Sequence, residues 1–294
     1  MRSNGSRRSC QAARHAEACA NPDGPGDARP TAIQMVKDEG ANGRLVGILK
    51  PGEIELVEMN NTSLSSVRAA AKAILQKSDN RVNILVNNAG IMALPKLEYT
   101  KDRLEMQLGV NHLPYFLLFE LLKPALLASA SPGFSSRVVN LSSSAHHVAS
   151  SSESGNYNFE KTEYNQWVAY WQSRTANIHM ANEIERRYGS RGLHANSVHP
   201  GIISTPLMVH MDEVVLAAMQ TDPRIPKMMK SPEQGAATTV WAAIGKEWEN
   251  KGGEYLAECW KTVRGNDKHE IVGEGFAGHA YVPENEARLW EDSL

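Results

Sequence analysis

Short apolar runs alternate with longer stretches of helical spacing from residue 54 onward, and this alternation constrains the fold more than any other feature. Ile54–Met59 mixes apolar and acidic residues in the manner of a half-buried strand. Ser63–Gln76 places Leu64, Val67, Ala71, Ile74 and Leu75 at helical spacing, with Thr62 or Ser63 as N-cap. Val82–Val86, Arg137–Leu141, Leu193–Val198 and Gly253–Leu256 predict further short strands. Lys101–Ala130, interrupted at Pro114, Tyr164–Tyr188 and Glu233–Lys246 predict helices. Strands that alternate with helices predict a parallel sheet covered on both faces, a doubly wound α/β fold.

Two segments are predicted. Residues 1–30 are rich in Arg, Ala, Gly, Pro, Asp and Ser without periodicity, so they are expected to be disordered or foreign to the fold. Residues 31–294 form one domain, opening on a short helix at Thr31–Gly40. Leu45–Leu49 is an apolar run before the Pro51-Gly52 turn and is expected to serve as a substitute strand in the sheet. A net charge of −2 gives no reason to expect nucleic acid or an acidic membrane as partner. Cys10, Cys19 and Cys259 are too scattered for a disulfide framework or a zinc site, and suit a reducing, cytoplasmic setting. No apolar stretch approaches the ~20 residues that cross a bilayer.

Open parallel sheets bind ligands at the carboxyl ends of their strands. Three such ends carry polar or glycine-rich sequence: Asn87–Gly90, Ser142–Ser144 and Pro200–Thr205. Tyr170 and Arg174 stand four apart on a predicted helix and so share a face. A phenol titrates near ~10, and a fixed cation one turn away favours its ionised form. With a serine hydroxyl from the neighbouring strand end, this pair makes an acid/base site for a carbonyl or an alcohol.

The ordered set of motifs resembles the short-chain dehydrogenase/reductase family. It runs from Asn87-Asn-Ala-Gly90 through Asn111, Asn140-Leu-Ser-Ser-Ser144 and Tyr170-Trp-Gln-Ser-Arg174 to Pro200-Gly201. Arg137–His147, Tyr164–Tyr170, Thr175–Ile178 and His199–Thr205 resemble its retinol-dehydrogenase-like branch. The resemblance covers about residues 54–294 and implies a Rossmann-like sheet. It implies Tyr170 as general acid/base, Ser143 as the group that polarises the carbonyl (Ser142 in the alternative register), and Asn111 as holder of a relay water. It implies cofactor contacts at Asn60, where the family usually has an aspartate, and at Asn88, Ala89 and Gly90. Further contacts are implied at Tyr170, Arg174, Pro200, Gly201, Ile203 and Thr205. The cofactor implied is NADP, with NAD as the alternative. A homodimer built on the helices that hold Asn111 and Tyr170 is implied as well.

Two departures stand out. No Thr-Gly-x-x-x-Gly-x-Gly occurs in the chain, so the family's opening strand and glycine loop are expected to be missing, as if the N-terminus were truncated. That loop brings backbone N–H groups to the pyrophosphate. Arg174 stands at the family's lysine; it keeps the charge but is planar and cannot pass on a proton. The expected function is NAD(P)-dependent interconversion of a ketone or aldehyde and an alcohol on a lipophilic small molecule. The alternative is a catalytically impaired remnant, or a binding or scaffold protein of the same fold. Met208–Lys230, with five methionines, falls where the family has its mobile substrate loop. No metal is expected: His146-His147 and His194/His199 match no ligand spacing.

Overall fold

The computed structural model describes residues 44–46 and 55–294, apart from 152, 212, 214, 215, 218–220 and 266–274. The expectations for residues 1–43, including the Thr31–Gly40 helix, and for 47–49 lie outside the described residues.

The core is a five-stranded sheet in the order β3(Ile84–Asn87), β4(Ser136–Leu141), β5(Leu193–His199), β8(Tyr255–Ala257), β9(Trp260–Lys261). All neighbours are parallel except the β8–β9 hairpin. Between β3 and β4 the chain crosses over through α2(Met106–Asn111) and α3(Leu113–Ser129). Between β4 and β5 it uses α4(Gln166–Tyr188), and between β5 and β8 it uses α5(Pro232–Ile244). This is the doubly wound arrangement that the alternation predicts. Every residue of β4 is buried, as a central strand requires.

The pleat sorts its side chains between two cores. Leu85 and Val138 join the cluster of α1(Leu64–Lys77), α3, α4 and Trp290 on one face. Val139, Leu141 and Val198 join Trp241, Trp248 and Leu256 under α5 on the other. The tryptophans meet edge to face, with centroids 4.8 Å apart. Ser63 caps α1, and Ser231 with Gln234 forms a capping box on α5, each cap worth about 1 kcal/mol. Among the described residues no helix is long and apolar enough to cross a membrane.

The sheet is not continuous on its β3 side. β2(Leu56–Glu58) contributes Val57 to the first core but pairs only with β1(Arg44–Val46), antiparallel, with Leu45 opposite Val57. The run at Leu45 is therefore a strand, as expected, but it does not enter the main sheet. It lies on β2, and the outer edge of β3 has no strand partner among the described residues.

The long helix expected from Lys101 begins only at Met106, where Glu105 accepts from the amides of Gln107 and Leu108. It breaks at His112, two residues before Pro114. Proline has no N–H, so the break leaves helix carbonyls to be satisfied otherwise. The carbonyl of Val110 accepts from Asn61 Nδ2 at 3.3 Å, and that of Asn111 from Asn177 Nδ2 at 2.9 Å.

Candidate active site

The carboxyl ends of β3, β4 and β5 converge on one side of the sheet, with Asn87 opposite Asn140 and Asn140 opposite Ser197. Asn87 Nδ2 donates to Asn140 Oδ1 at 2.8 Å, tying β3 to β4 just below the cleft. β3 leads into Asn88, Ala89 and Gly90. A Cβ at Gly90 would fall inside van der Waals distance of Arg174 Nη2 and 2.9 Å from Asn111 Oδ1. Glycine at this position is what admits the guanidinium.

Asn111 is buried and fully engaged. Its Oδ1 accepts from the amide of Ile91 (2.8 Å), and its Nδ2 donates to the carbonyl of Ile91 (3.0 Å) and to Ser173 Oγ (2.9 Å). Ser173 Oγ in turn donates to the carbonyl of Tyr170 (2.8 Å). Asn111 thus clamps the turn after β3 to the helix of Tyr170. Its side chain is committed, while its main-chain carbonyl accepts from Asn177 Nδ2 and keeps a second lone pair.

Asn165 caps α4 through the amides of Trp167 and Val168, and α4 presents Tyr170 and Arg174 on one face. Tyr170 is 6% exposed, and its hydroxyl bonds to no described residue. The two serine registers separate cleanly. Ser142 is buried and its Oγ donates to the carbonyl of Arg174 at 2.8 Å. Ser143 is half-buried, and its Oγ accepts from the amide of Ala145 (3.1 Å) while its own proton is given to no described residue. Arg174 is 3% exposed; Nη1 donates to the carbonyl of Leu141 (3.2 Å), and Cζ lies 5.0 Å from the centroid of the Tyr170 ring. The cation therefore sits over the ring face and against Gly90.

At the end of β5, Gly201 has φ 99°, a left-handed value suited to glycine. A Cβ there would lie 2.6 Å from Lys230 Cδ. Lys230 pairs with Glu258 at 2.5 Å, and β7(Met229–Lys230) pairs in parallel with β6(Ile202–Ile203). Pro200, Gly201 and Ile203 line this end half-buried, and Thr205 is exposed. His199 Nδ1 accepts from the amide of Ser144 (3.2 Å). Burial, and then the charge of Lys230, hold its pKa down at about 3, so the ring is neutral.

Asn60 spends its side-chain oxygen locally, accepting from the amide and the hydroxyl of Thr62, both at 2.8 Å. Sequence reasoning did not single out Asn177, although the Thr175–Ile178 motif contains it. Its Nδ2 donates to the carbonyls of Asn111 and Leu141, both at 2.9 Å, and its Oδ1 meets His112 Nδ1 at 3.3 Å. The one available signal was its place seven residues after Tyr170, on the face of α4 that packs against β4.

The family model for short chain dehydrogenases matches residues 44–214, more than half of the chain. The chain belongs to this family. It is 42% identical over 324 residues to the short-chain dehydrogenase/reductase prx1 of Penicillium roqueforti, covering 96% of this chain and 94% of that one. The aligned span is longer than the chain, so that relative has residues within it for which this chain has no counterpart. Human retinol dehydrogenase 13 is 35% identical over 224 residues, covering 76% of this chain and 66% of that one. A Mycobacterium paratuberculosis protein of uncharacterised function superposes with a TM-score of 0.56 at 27% identity, over 81% of this chain and 73% of that one. A Beutenbergia cavernae protein assigned as an NAD(P)-dependent gluconate 5-dehydrogenase, with NADP bound at low occupancy, gives a TM-score of 0.53 at 25% identity, over 69% of this chain and 74% of that one.

The residues that could hold a nicotinamide dinucleotide are found for one half of it. Tyr170, the carbonyl of Asn111 and the Pro200–Thr205 segment supply polar groups suited to a nicotinamide ribose and amide. Among the described residues no glycine-rich turn at a helix N-terminus offers amides to a pyrophosphate.

Proposed function

We propose that this cleft interconverts a ketone or aldehyde and the corresponding alcohol on a lipophilic small molecule, with NADP as the preferred partner. What carries the reading is the pattern of commitment among its polar groups. Asn111, Ser142 and Ser173 are spent on holding backbone, while the hydroxyl of Tyr170 bonds to no described residue and that of Ser143 gives its proton to none. These are the two groups needed to polarise a carbonyl and to exchange a proton with its oxygen. Ser143 donates to the substrate oxygen. Tyr170 gives the proton in reduction and takes it back in oxidation, and the carbonyl of Asn111 holds the water that resupplies it.

The nicotinamide, when bound, supplies the hydride. Pro200, Gly201, Ile203 and Thr205 hold its amide end, and Asn88, Ala89 and Gly90 lie toward its adenosine side. NADP is favoured by the bound cofactor of the Beutenbergia cavernae protein and is the cofactor that the resemblance of the motifs implies. A lipophilic substrate suits the segment after Thr205, where Val209 and Met229 are exposed.

The test is NADPH oxidation by the purified protein against a panel of lipophilic ketones and aldehydes, followed by absorbance. Turnover that falls by about 100-fold or more in Tyr170→Phe, with folding unchanged, supports the reading. Turnover equal in the two proteins removes Tyr170 from it. A second reading, an impaired enzyme, is favoured by Arg174 lying against Gly90, since the guanidinium fills space that a lysine would leave.

A further inference from the structure

Arg137 on β4 and Arg174 on α4 are equally buried, at 3% exposure, and they are treated differently. Arg137 meets the carboxylate of Glu249 at 3.0 Å and two carbonyls, those of Ala243 and Gly245. Arg174 meets a single carbonyl, Leu141, and the face of Tyr170. Both leave Nε unpaired, and Arg137 has one more carbonyl and, above all, a counter-ion. No described carboxylate lies within ion-pair distance of Arg174. A buried charge without a partner is among the costliest arrangements in a protein, and such charges persist where a ligand supplies the opposite sign.

We propose that Arg174, set against the bare backbone of Gly90, is the binding site for an oxyanion, a carboxylate or phosphate group carried by the ligand of this cleft. The inference rests on the cleft being a ligand site and does not depend on hydride transfer. Gly90 matters because any side chain there would collide with Nη2. The unpaired Nε, with Nη2, which bonds to no described residue, gives the planar fork that grips two oxygens at once. The charge of Arg174 also opposes the upward push that burial gives the pKa of Tyr115. The other cation of the cleft, Lys230, is already paired with Glu258.

Wild-type protein, Tyr170→Phe, Arg174→Gln and Arg174→Lys would be titrated with inorganic phosphate and, separately, with octanoate, at ionic strength held constant with chloride. Thermal midpoint and calorimetry are the readouts. The proposal expects saturable stabilisation of wild type and Tyr170→Phe by at least one anion, weakened at least tenfold in Arg174→Gln and less in Arg174→Lys. Saturation by phosphate points to a phosphate group of the ligand; saturation by octanoate alone points to a substrate carboxylate. In chloride, Arg174→Gln should unfold no earlier than wild type, because it removes a lone buried charge. Equal stabilisation of wild type and Arg174→Gln would mean an adventitious ion only, and would overturn the proposal, as would no saturable effect of either anion. The Nε–H resonance of Arg174 should also move with the anion; if it stays still at saturation the proposal fails, however the variants fold. Anion binding that survives without any carbonyl reduction would sink the oxidoreductase reading and leave this site standing.

Discussion

The side-chain amide of Asn177 donates to the main-chain carbonyl of Asn111 at 2.9 Å, a carbonyl that the helix break before Pro114 leaves without an intrahelical partner. The same nitrogen holds the carbonyl of Leu141, one residue before Ser142. One amide thus fixes the helix of Tyr170, the end of β4 and the kink at Asn111 relative to one another. Asn177→Asp removes both donors and sets a carboxylate against two carbonyls. It should destabilise the protein by about 3 kcal/mol in urea unfolding. A loss below about 1 kcal/mol would show that the two carbonyls find other donors.

Binding of NADPH should be weak, because the described residues offer a nicotinamide end without a pyrophosphate anchor. The expected Kd in calorimetry is weaker than about 1 μM, a free energy less favourable than about −8 kcal/mol. Tighter binding would mean that residues outside those described supply the anchor.

Arg174→Lys should raise the rate of carbonyl reduction at least tenfold, a gain of about 1.4 kcal/mol in barrier. An ammonium keeps the charge, withdraws from Gly90 and can carry a proton onward, whereas the guanidinium fills the space and cannot. A misplacement of ~1 Å in such a site can cost ~100-fold, so geometry outweighs the unchanged charge. An unaltered rate, or a gain that survives Tyr170→Phe, would show that the proton moves by another route.

Stability should fall as the pH drops below about 6.5. Burial holds His112 and His179 at about 4, and His146 and His199 at about 3, below the ordinary 6.5. The folded protein keeps these rings neutral while the unfolded chain takes up protons, so stability present above pH 6.5 is lost as the pH falls toward the folded values. Each ring contributes about 1 kcal/mol of loss by pH 5.5. Glu105, whose carboxyl burial raises, acts in the opposite sense but is one group against four. Urea midpoints from pH 8 to 5 test this; a flat profile between pH 7.5 and 5.5 contradicts it, and His179→Gln should shallow the slope.

Amides on the outer edge of β3, which has no strand partner among the described residues, should exchange with deuterium at least 100-fold faster than those of β4, which is flanked on both sides. Equal protection would reveal a strand on that edge.

The arrangement of elements was legible in the sequence because burial imposes a period. β4 is buried on both faces and shows in the sequence as the short apolar set Val138, Val139 and Leu141, and α1 shows its inward stripe at Val67, Ala71 and Ile74. The motifs at Asn87–Gly90, Ser142–Ser144 and Tyr170–Arg174 were legible too, since each sits where a strand ends or on one face of a helix. Periodicity says nothing of what a side chain meets. Ser142 and Ser143 are neighbours of the same type, and a one-residue step turns a side chain to the opposite face, so only the packed strand end shows which hydroxyl is spent on Arg174. The sequence places Arg174 one turn from Tyr170, but whether it faces the phenol oxygen, the ring or Gly90 depends on groups from three distant segments. The role of Asn177 was hidden for the same reason, because its partners lie 66 and 36 residues away. Likewise the apolar run at Leu45 predicts a strand, while its choice of β2 over the edge of β3 is a matter of pairing across space, which no local pattern encodes.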